Sequence, residues 1–303
     1  MVNTTGSHPK ALWPGVYEWF GQTYGRYAPE WTQLVDKATS RKNYEETVQS
    51  TTFGLAPVKS EGSSVSYTDN QQGYTTRAVH VVYGLGYIVT RENMEDGLYM
   101  EVSLKGASLL SESMHQTKEN VVANMYNRAF NSSYTFGDGK ELLANDHPNT
   151  TGGTFSNELS TAAALSEASM EDLIIQIGQA EDDAGLKIQL RPRCLIIPIN
   201  QQFEAHRILK SVQQSGTANN DANALRDMNV FPEGIKVNHY LTDTNNWFIR
   251  TDIKRGGLKL FQRRALEFTQ DNDFDTENAK AKCTERYSVT AGDPRALYGS
   301  SPA

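Results

Sequence analysis

The widest proline-free window of the chain, from Pro57 to Pro148, most constrains what it can fold into. Its middle, residues 93–130, predicts one long helix. Leu98, Val102, Leu109, Met114, Val121, Met125 and Ala129 follow a 3.6-residue period that drifts slowly around one side. Glu101, Lys105, Glu112, Lys118, Glu119 and Arg128 fall mostly on the remaining circumference. At about 1.5 Å per residue such a helix is roughly 50 Å long, the width of a whole domain. An uninterrupted helix of that length suits a spine that carries other parts better than one layer of a compact enzyme.

The 303 residues allow roughly two domains, or one domain with large excursions. No run of about 18 apolar residues occurs, which excludes a membrane-spanning helix. Residues 1–15 have neither a basic start nor an apolar stretch, so a secretory signal is not expected. Cys194 and Cys283 lie far apart, which fits buried thiols in a reducing compartment and no disulfide. The net charge of −7 is the wrong sign for a protein built to grip nucleic acid. The local basic stretches, Lys187, Arg191 and Arg193 and then Lys254, Arg255, Lys259, Arg263 and Arg264, read as solvated strand faces and intersubunit ion pairs.

Taken in order, residues 1–50 crowd Trp13, Tyr17, Trp19, Phe20, Tyr24, Tyr27 and Trp31 between helix-interrupting glycines. A short helix is expected after Pro29. Large aromatics on an extended arm suit a segment that lies on a neighbour, because they bury much area at little entropic cost. An N-terminal strand on the chain's own core is the other reading. Residues 53–58 and 74–82 read as two strands flanking a polar tip, 59–73, in a long β-hairpin. Gly84 and Gly86 are expected to break the second strand before the helix. Further helices are expected over 160–183, with Ser169 and Asp172 as a capping box and Gly185 as C-cap, and over 201–211. Short strands follow at 195–199, 234–240, 247–251, 258–263, 267–269 and 280–290. The class is α+β.

The motifs of catalysis are missing. No P-loop, H-E-x-x-H, C-x-x-C or G-x-S-x-G occurs, and the six histidines are scattered. Asp271, Asp273, Asp275 and Glu277 resemble the start of a calcium loop, yet Thr276 and Lys282 stand where Gly and the bidentate Glu are required. Asp146 and His147 sit in a proline-bounded turn and read as structural. No catalytic residue, cofactor or metal is expected.

From Leu142 to Ser300 the strings LLANDHPNTTGGTFSN, LSEASMEDLIIQIGQAEDDAGLKI, RPRCLIIP, YLTDTNNWFIRTD, GLKLFQRRALEFTQDNDFDTENAKAKCTERY and DPRALYGS appear in order. They resemble the major capsid proteins of tailed bacteriophages with the HK97 fold, in particular the Mu-like head subunit group. The resemblance implies an N-arm over 1–50 and an extended E-loop over 51–83. It also implies a P domain over 84–145 and 258–290, an A domain over 146–257 and a C-terminal tail over 291–303. It implies a structural protein that forms homo-hexamers and homo-pentamers of an icosahedral shell in the virion, assembled in the bacterial cytoplasm around double-stranded DNA. The DNA would be held without sequence-specific binding. The chain starts almost at the N-arm, so the scaffolding protein is expected to be separate, with a portal and a decoration protein as further partners and no membrane. Trp13, Trp19, Trp31, Lys59, Glu61, Tyr67, Arg77, Arg255, Arg263, Arg264, Asp271, Asp273 and Asp275 are the expected intersubunit contacts. Lys59 sits near the place of a crosslinking lysine in one variant of the fold, but no partner set accompanies it. An encapsulin-type shell of the same fold is the nearest alternative. A hydrolase using Asp146, His147 or the 271–277 acids is the alternative of another class.

Overall fold

A computed structural model describes residues 20–22, 24–25, 28–96, 99–213, 222–253, 256–273 and 275–302, the side chains at 94 and 99–104 excepted. Trp13, Trp19 and Arg255 lie outside these residues, as do Leu98 and the loop 214–221. Residues 20–22 and 24–25 are helical, and after them come helix α1 (Trp31–Leu34) and strands β1 (Asp36–Thr39), β2 (Tyr44–Ser50), β3 (Gln72–Val79) and β4 (Val81–Val89). Helices α2 (Arg91–Glu95) and α3 (Tyr99–Asn127) follow, then the short strands β5 (His147–Pro148) and β6 (Thr154–Phe155). Next come helix α4 (Glu167–Gly178), strand β7 (Pro192–Pro198), helices α5 (Gln202–Lys210) and α6 (Ala224–Asp227), and strands β8 (Ile235–Asn238) and β9 (Trp247–Thr251). Strands β10 (Leu258–Asn272), β11 (Ala279–Ala291) and β12 (Leu297–Ser300) complete it.

The spine exists as α3, 29 residues long, with α2 ahead of it. Its buried face differs from the periodic reading. Ala107, Leu110, Met114, Val122, Ala123, Tyr126 and Ala129 are buried, whereas Leu109 is 65% exposed. Lys118 and Glu119, expected on the solvent side, are buried too. The reason is that α3 is covered on two flanks, by a sheet and by the N-terminal segment, so its buried arc is wider than one stripe. The sheet has the order β1-β10-β11-β4. β10 runs antiparallel to β11 and β11 to β4, while β1 joins β10 in parallel. The expected strands 258–263 and 267–269 are one strand, carried through by register shifts between Gln262 and Glu267.

Gly84 and Gly86 do not break β4; they let it lie close to β11. A Cβ on Gly86 would stand 2.7 Å from the Ala281 carbonyl oxygen, so only glycine accepts this approach. The expected strand 74–82 is split at His80, with β3 on one side and β4 on the other. Buried His80 ties the break down: Nε2 lies 3.0 Å from Ser40 Oγ and Nδ1 2.9 Å from Ser288 Oγ.

A second sheet, β12-β9-β7-β8, carries the other half of the core. β7 and β8 are parallel and joined through α5 and α6, as a parallel pair requires a crossover. Both faces of β7 are covered. Cys194 and Ile196 face the cluster that contains Tyr126 and Phe248, whereas Leu195 and Ile197 face α4, α5 and Trp247. Burial on both sides explains why this strand reads as an unbroken apolar run. β12 completes the sheet, so residues 297–300, expected as tail, are a core strand. Helix α4 is shorter than expected, and its box lies three residues earlier. Ser166 Oγ accepts from Ser169 N at 3.2 Å and Ser169 Oγ accepts from Ser166 N at 3.0 Å. Gly185 sits in a later turn at φ 76° and does not cap α4.

Candidate assembly surfaces

The hairpin stem is β2 paired with β3, in register from Tyr44↔Val79 to Ser50↔Gln72. The expected strand over 53–58 is absent, because the residues that alternate in exposure are those of β2. Glu46 faces Arg77 directly across the stem; their side chains meet at 2.7 Å, and Arg77 stacks 4.4 Å from the Tyr44 ring. Arg77 is therefore engaged within its own hairpin. The stem closes where Thr51 N donates to Gln71 O at 2.9 Å and Gln71 N donates to Thr51 Oγ1 at 2.7 Å.

Beyond that closure the chain runs out without regular structure. Phe53, Leu55, Val58, Val65 and Tyr67 stand 57–98% exposed. Lys59, Glu61 and Tyr67 of the expected contacts lie on this excursion and are exposed. Thr52 Oγ1 donates to Asp182 Oδ2 at 2.5 Å, which moors the root of the excursion to the loop after α4. Fully burying one such apolar side chain is worth roughly 1.5–3 kcal/mol. Five left in water are a surface with no partner in its own subunit.

Two more apolar surfaces are exposed. β4 is an outer strand of its sheet and presents Val81, Val82, Leu85 and Ile88, each at least half exposed. At the far end of the second sheet Ile199, Phe203, Val212 and Met228 are exposed around α5.

The charged residues divide differently from the sequence expectation. Trp31 is buried in the subunit's own core, with 7% of its surface accessible, so it is an internal anchor and leaves little for a neighbour. Asp273 pairs with Lys280 of the same chain across the turn between β10 and β11. That contact, followed by a backbone donor from Asp275, holds the Asp273 carboxyl below the usual range. Arg263 Nε donates to Lys42 O at 3.1 Å and Arg264 Nη2 to Thr284 Oγ1 at 3.0 Å. Asp271 and Asp275 remain exposed. The strand register opposes Asp271 to Lys280 and Arg264 to Arg286, so these partners are not the directly opposed residues and no local pattern announces them.

Among the described residues, the candidate pair of Asp146 and His147 does not form a reaction centre. His147 is fully buried, with Nδ1 2.7 Å from Asp138 Oδ2 and Nε2 3.1 Å from Asn157 Oδ1. Asn157 is itself a junction, donating to the carbonyls of Leu142, Pro294 and Leu297 at 2.8–3.1 Å. The pair of Asp138 and His147 therefore fixes loops together. An open cavity of about 1080 Å³ separates the hairpin root from the second sheet's loops; Thr52, Asp182, Asp183, Arg191, Asp252 and Asp293 line part of it. Among the described residues no His or Cys lines it, so these supply neither a thiol nor an imidazole base there. Among the described residues no cluster of three or more His, Cys, Asp or Glu could hold a metal ion, and no helix is long and apolar enough to cross a membrane.

The chain is similar to a solved structure from Mycobacterium phage Patience, with 9% identity, a TM-score of 0.53, and coverage of 98% of this chain and 88% of that one. It is similar to the capsid of a native GTA particle, with 11% identity, a TM-score of 0.54, and 90% of each chain covered. It also matches the capsid of the Myoviridae phage XM1, with 9% identity, a TM-score of 0.52, and coverage of 91% and 92%. At such identities the likeness establishes the fold, which is that of HK97-type capsid subunits. The family model for phage capsid protein matches residues 73–300, and the chain belongs to that family. It is a major capsid protein, a structural and not an enzymatic molecule. No curated protein matches its sequence.

Proposed function

We propose that this chain forms hexamers and pentamers of an icosahedral head that encloses double-stranded DNA in a tailed-phage virion. The observation that supports it most directly is the excursion 52–70, with five apolar side chains in water and a stem too well paired to be disordered. Such a surface is satisfied when it laps onto a second copy, and a heterologous contact that closes by rotation gives rings. The acidic balance of the chain favours release of the genome over tight phosphate binding. In this reading residues 1–50 are the N-arm, 51–83 the E-loop with β2 as the other half of its stem, 84–145 and 258–290 the P domain, 146–257 together with β12 the A domain, and the rest of 291–303 the tail. Lys59, Glu61 and Tyr67 make contacts between copies. A scaffolding protein, a portal and a decoration protein complete the particle, which forms in the host cytoplasm. Production of the chain with and without a candidate scaffold, followed by electron microscopy, tests the reading. Shells or capsomer rings support it, and a monomer that persists at high concentration with scaffold present overturns it.

A further inference from the structure

Phe20, Tyr24 and residues 28–35 lie along one flank of α3 in a matched sequence of contacts and form a strap on it. Ser111 Oγ donates to Phe20 O at 3.4 Å, and Phe20 stacks on Phe268 with ring centres 4.7 Å apart. Tyr24 meets His115 edge-on at 5.9 Å. Glu30 N donates to Glu119 Oε1 at 2.9 Å, Lys118 Nζ lies 4.7 Å from the Trp31 ring, and Tyr126 Oη donates to Leu34 O at 2.6 Å. From Ser111 to Tyr126 the strap follows the helix for about 22 Å at the usual rise per residue.

The ends of this strap are apolar or neutral, and its middle is not. Lys118, Glu119 and, on β11, Glu285 are all buried. Lys118 Nζ reaches Glu285 Oε1 at 2.5 Å, an oxygen that also accepts from Gln262 Nε2 at 3.0 Å. The one lysine is thus committed to Glu285. Glu119 retains the strap's backbone donor on Oε1, and its Oε2 has no partner among the described residues. His115 Nε2 stands 3.6 Å from Oε1. The other titratable groups facing this region are Tyr24 from the strap, Glu112 from α3, and Tyr240 from the loop after β8. Cys283 and Tyr287 face it from β11, with Lys118 Nζ 5.2 Å from the Tyr287 ring, and the Glu30 carboxylate is already held by His239 Nδ1 at 2.6 Å. Among the described residues, the buried Lys118 is thus spent on Glu285, and the buried Glu119 is left with an unpartnered oxygen.

We propose that Glu119 is a proton-controlled fastening for the N-terminal strap: residues 28–35 dock on α3 with Glu119 as a neutral acid and loosen when it ionises. The docked acid loses water to the strap, and the undocked one regains it. Burial pushes the Glu119 carboxyl up to about 7, although the backbone donors of Glu30 and Trp31 pull the other way. A carboxyl whose docked pKa is raised stabilises the docked state fully below its ordinary pKa. That contribution is lost as pH rises through the docked value. The undocking constant then grows by up to about tenfold per pH unit between about 5 and 7, and levels off above. His115 acts with the opposite sign, because burial lowers its pKa, so its protonation at acid pH weakens docking. The fastening is independent of how copies meet in a shell, and its failure would leave the shell reading untouched.

Hydrogen exchange read by mass spectrometry on the folded full chain, with intrinsic rates corrected for pH, tests it. In the wild type, protection of residues 28–35 falls as pH rises from about 5 to 7, while protection of β7 stays constant. In Glu119→Gln the fall disappears and the remaining slope reverses, following His115. In His115→Gln the fall steepens. Wild-type protection that is flat or rises across this window overturns the proposal, and so does a wild-type fall that survives in Glu119→Gln. Should Glu119→Gln fail to fold, carbon-13 titration of glutamate-labelled wild type decides. A carboxyl titrating near 7 supports the fastening, and glutamates that all titrate in the ordinary range overturn it.

Discussion

Single residues hold this subunit together where backbone groups from distant parts of the chain converge. Asn157 donates to three carbonyls, accepts from Ala144 N at 2.9 Å, and is fully buried. Asn157→Ala leaves those carbonyls without a donor, and each buried orphan costs about 1–3 kcal/mol. Urea unfolding of this variant should show a stability loss of at least about 3 kcal/mol, and a loss below 1 kcal/mol would mean that the carbonyls find other donors. The thiols give a second residue-scale expectation. Burial pushes Cys194 up to about 11 and Cys283 up to about 12. They sit in different core clusters, both free and buried. Neither should react with iodoacetamide at pH 8 in the native chain, and both should in denaturant, since the thiolate is the nucleophile. Modification in the native state would contradict their placement.

At the scale of elements, α4 depends on its reciprocal serine box, and Ser166→Ala should lower the thermal midpoint through a loss of about 1 kcal/mol. Asp172→Ala, aimed at the box expected from the sequence, should change the midpoint little, because Asp172 takes no part in the cap. Equal effects of the two would place the helix start wrongly. The β4–β11 pairing makes a sharper demand. Gly86→Val forces a side chain against the Ala281 carbonyl, 2.7 Å from where its Cβ would stand. The pair must then separate, and β4 should lose amide protection selectively while the second sheet keeps its own.

For the whole molecule, the excursion should be dispensable for folding and required for assembly. Because the stem closes at Thr51 and Gln71, residues 53–69 can be replaced by a short glycine-containing turn while β2 and β3 stay paired. The expected result is an unchanged unfolding midpoint with loss of particles by electron microscopy. Normal particles would make the excursion a passive surface loop, and a collapsed midpoint would place it in the core.

How much of this was legible beforehand follows from which interactions are local. The spine helix, the α+β class, the polar excursion and the apolar run of β7 were visible, because each rests on periodicity, turn chemistry or continuous burial that neighbouring residues set. The capsid family was visible through the strings from Leu142 onward. The hairpin stem was placed several residues late, since the weak alternation of 53–58 outweighed the polar sequence of β2, whose strand character comes from pairing with β3. The split at His80 and the passage of two glycines through β4 depend on how closely β11 approaches, a distance no local pattern contains. Trp31 was read as an anchor for a neighbour, and Lys118 and Glu119 as solvated, because composition cannot tell which flank of a helix another segment will cover. The sequence by itself determined where the chain could be helix, strand or excursion. Tertiary structure decided which charges were taken out of water, because burial depends on contacts between residues far apart in the chain: Glu30 on Glu119, and Lys118 on Glu285.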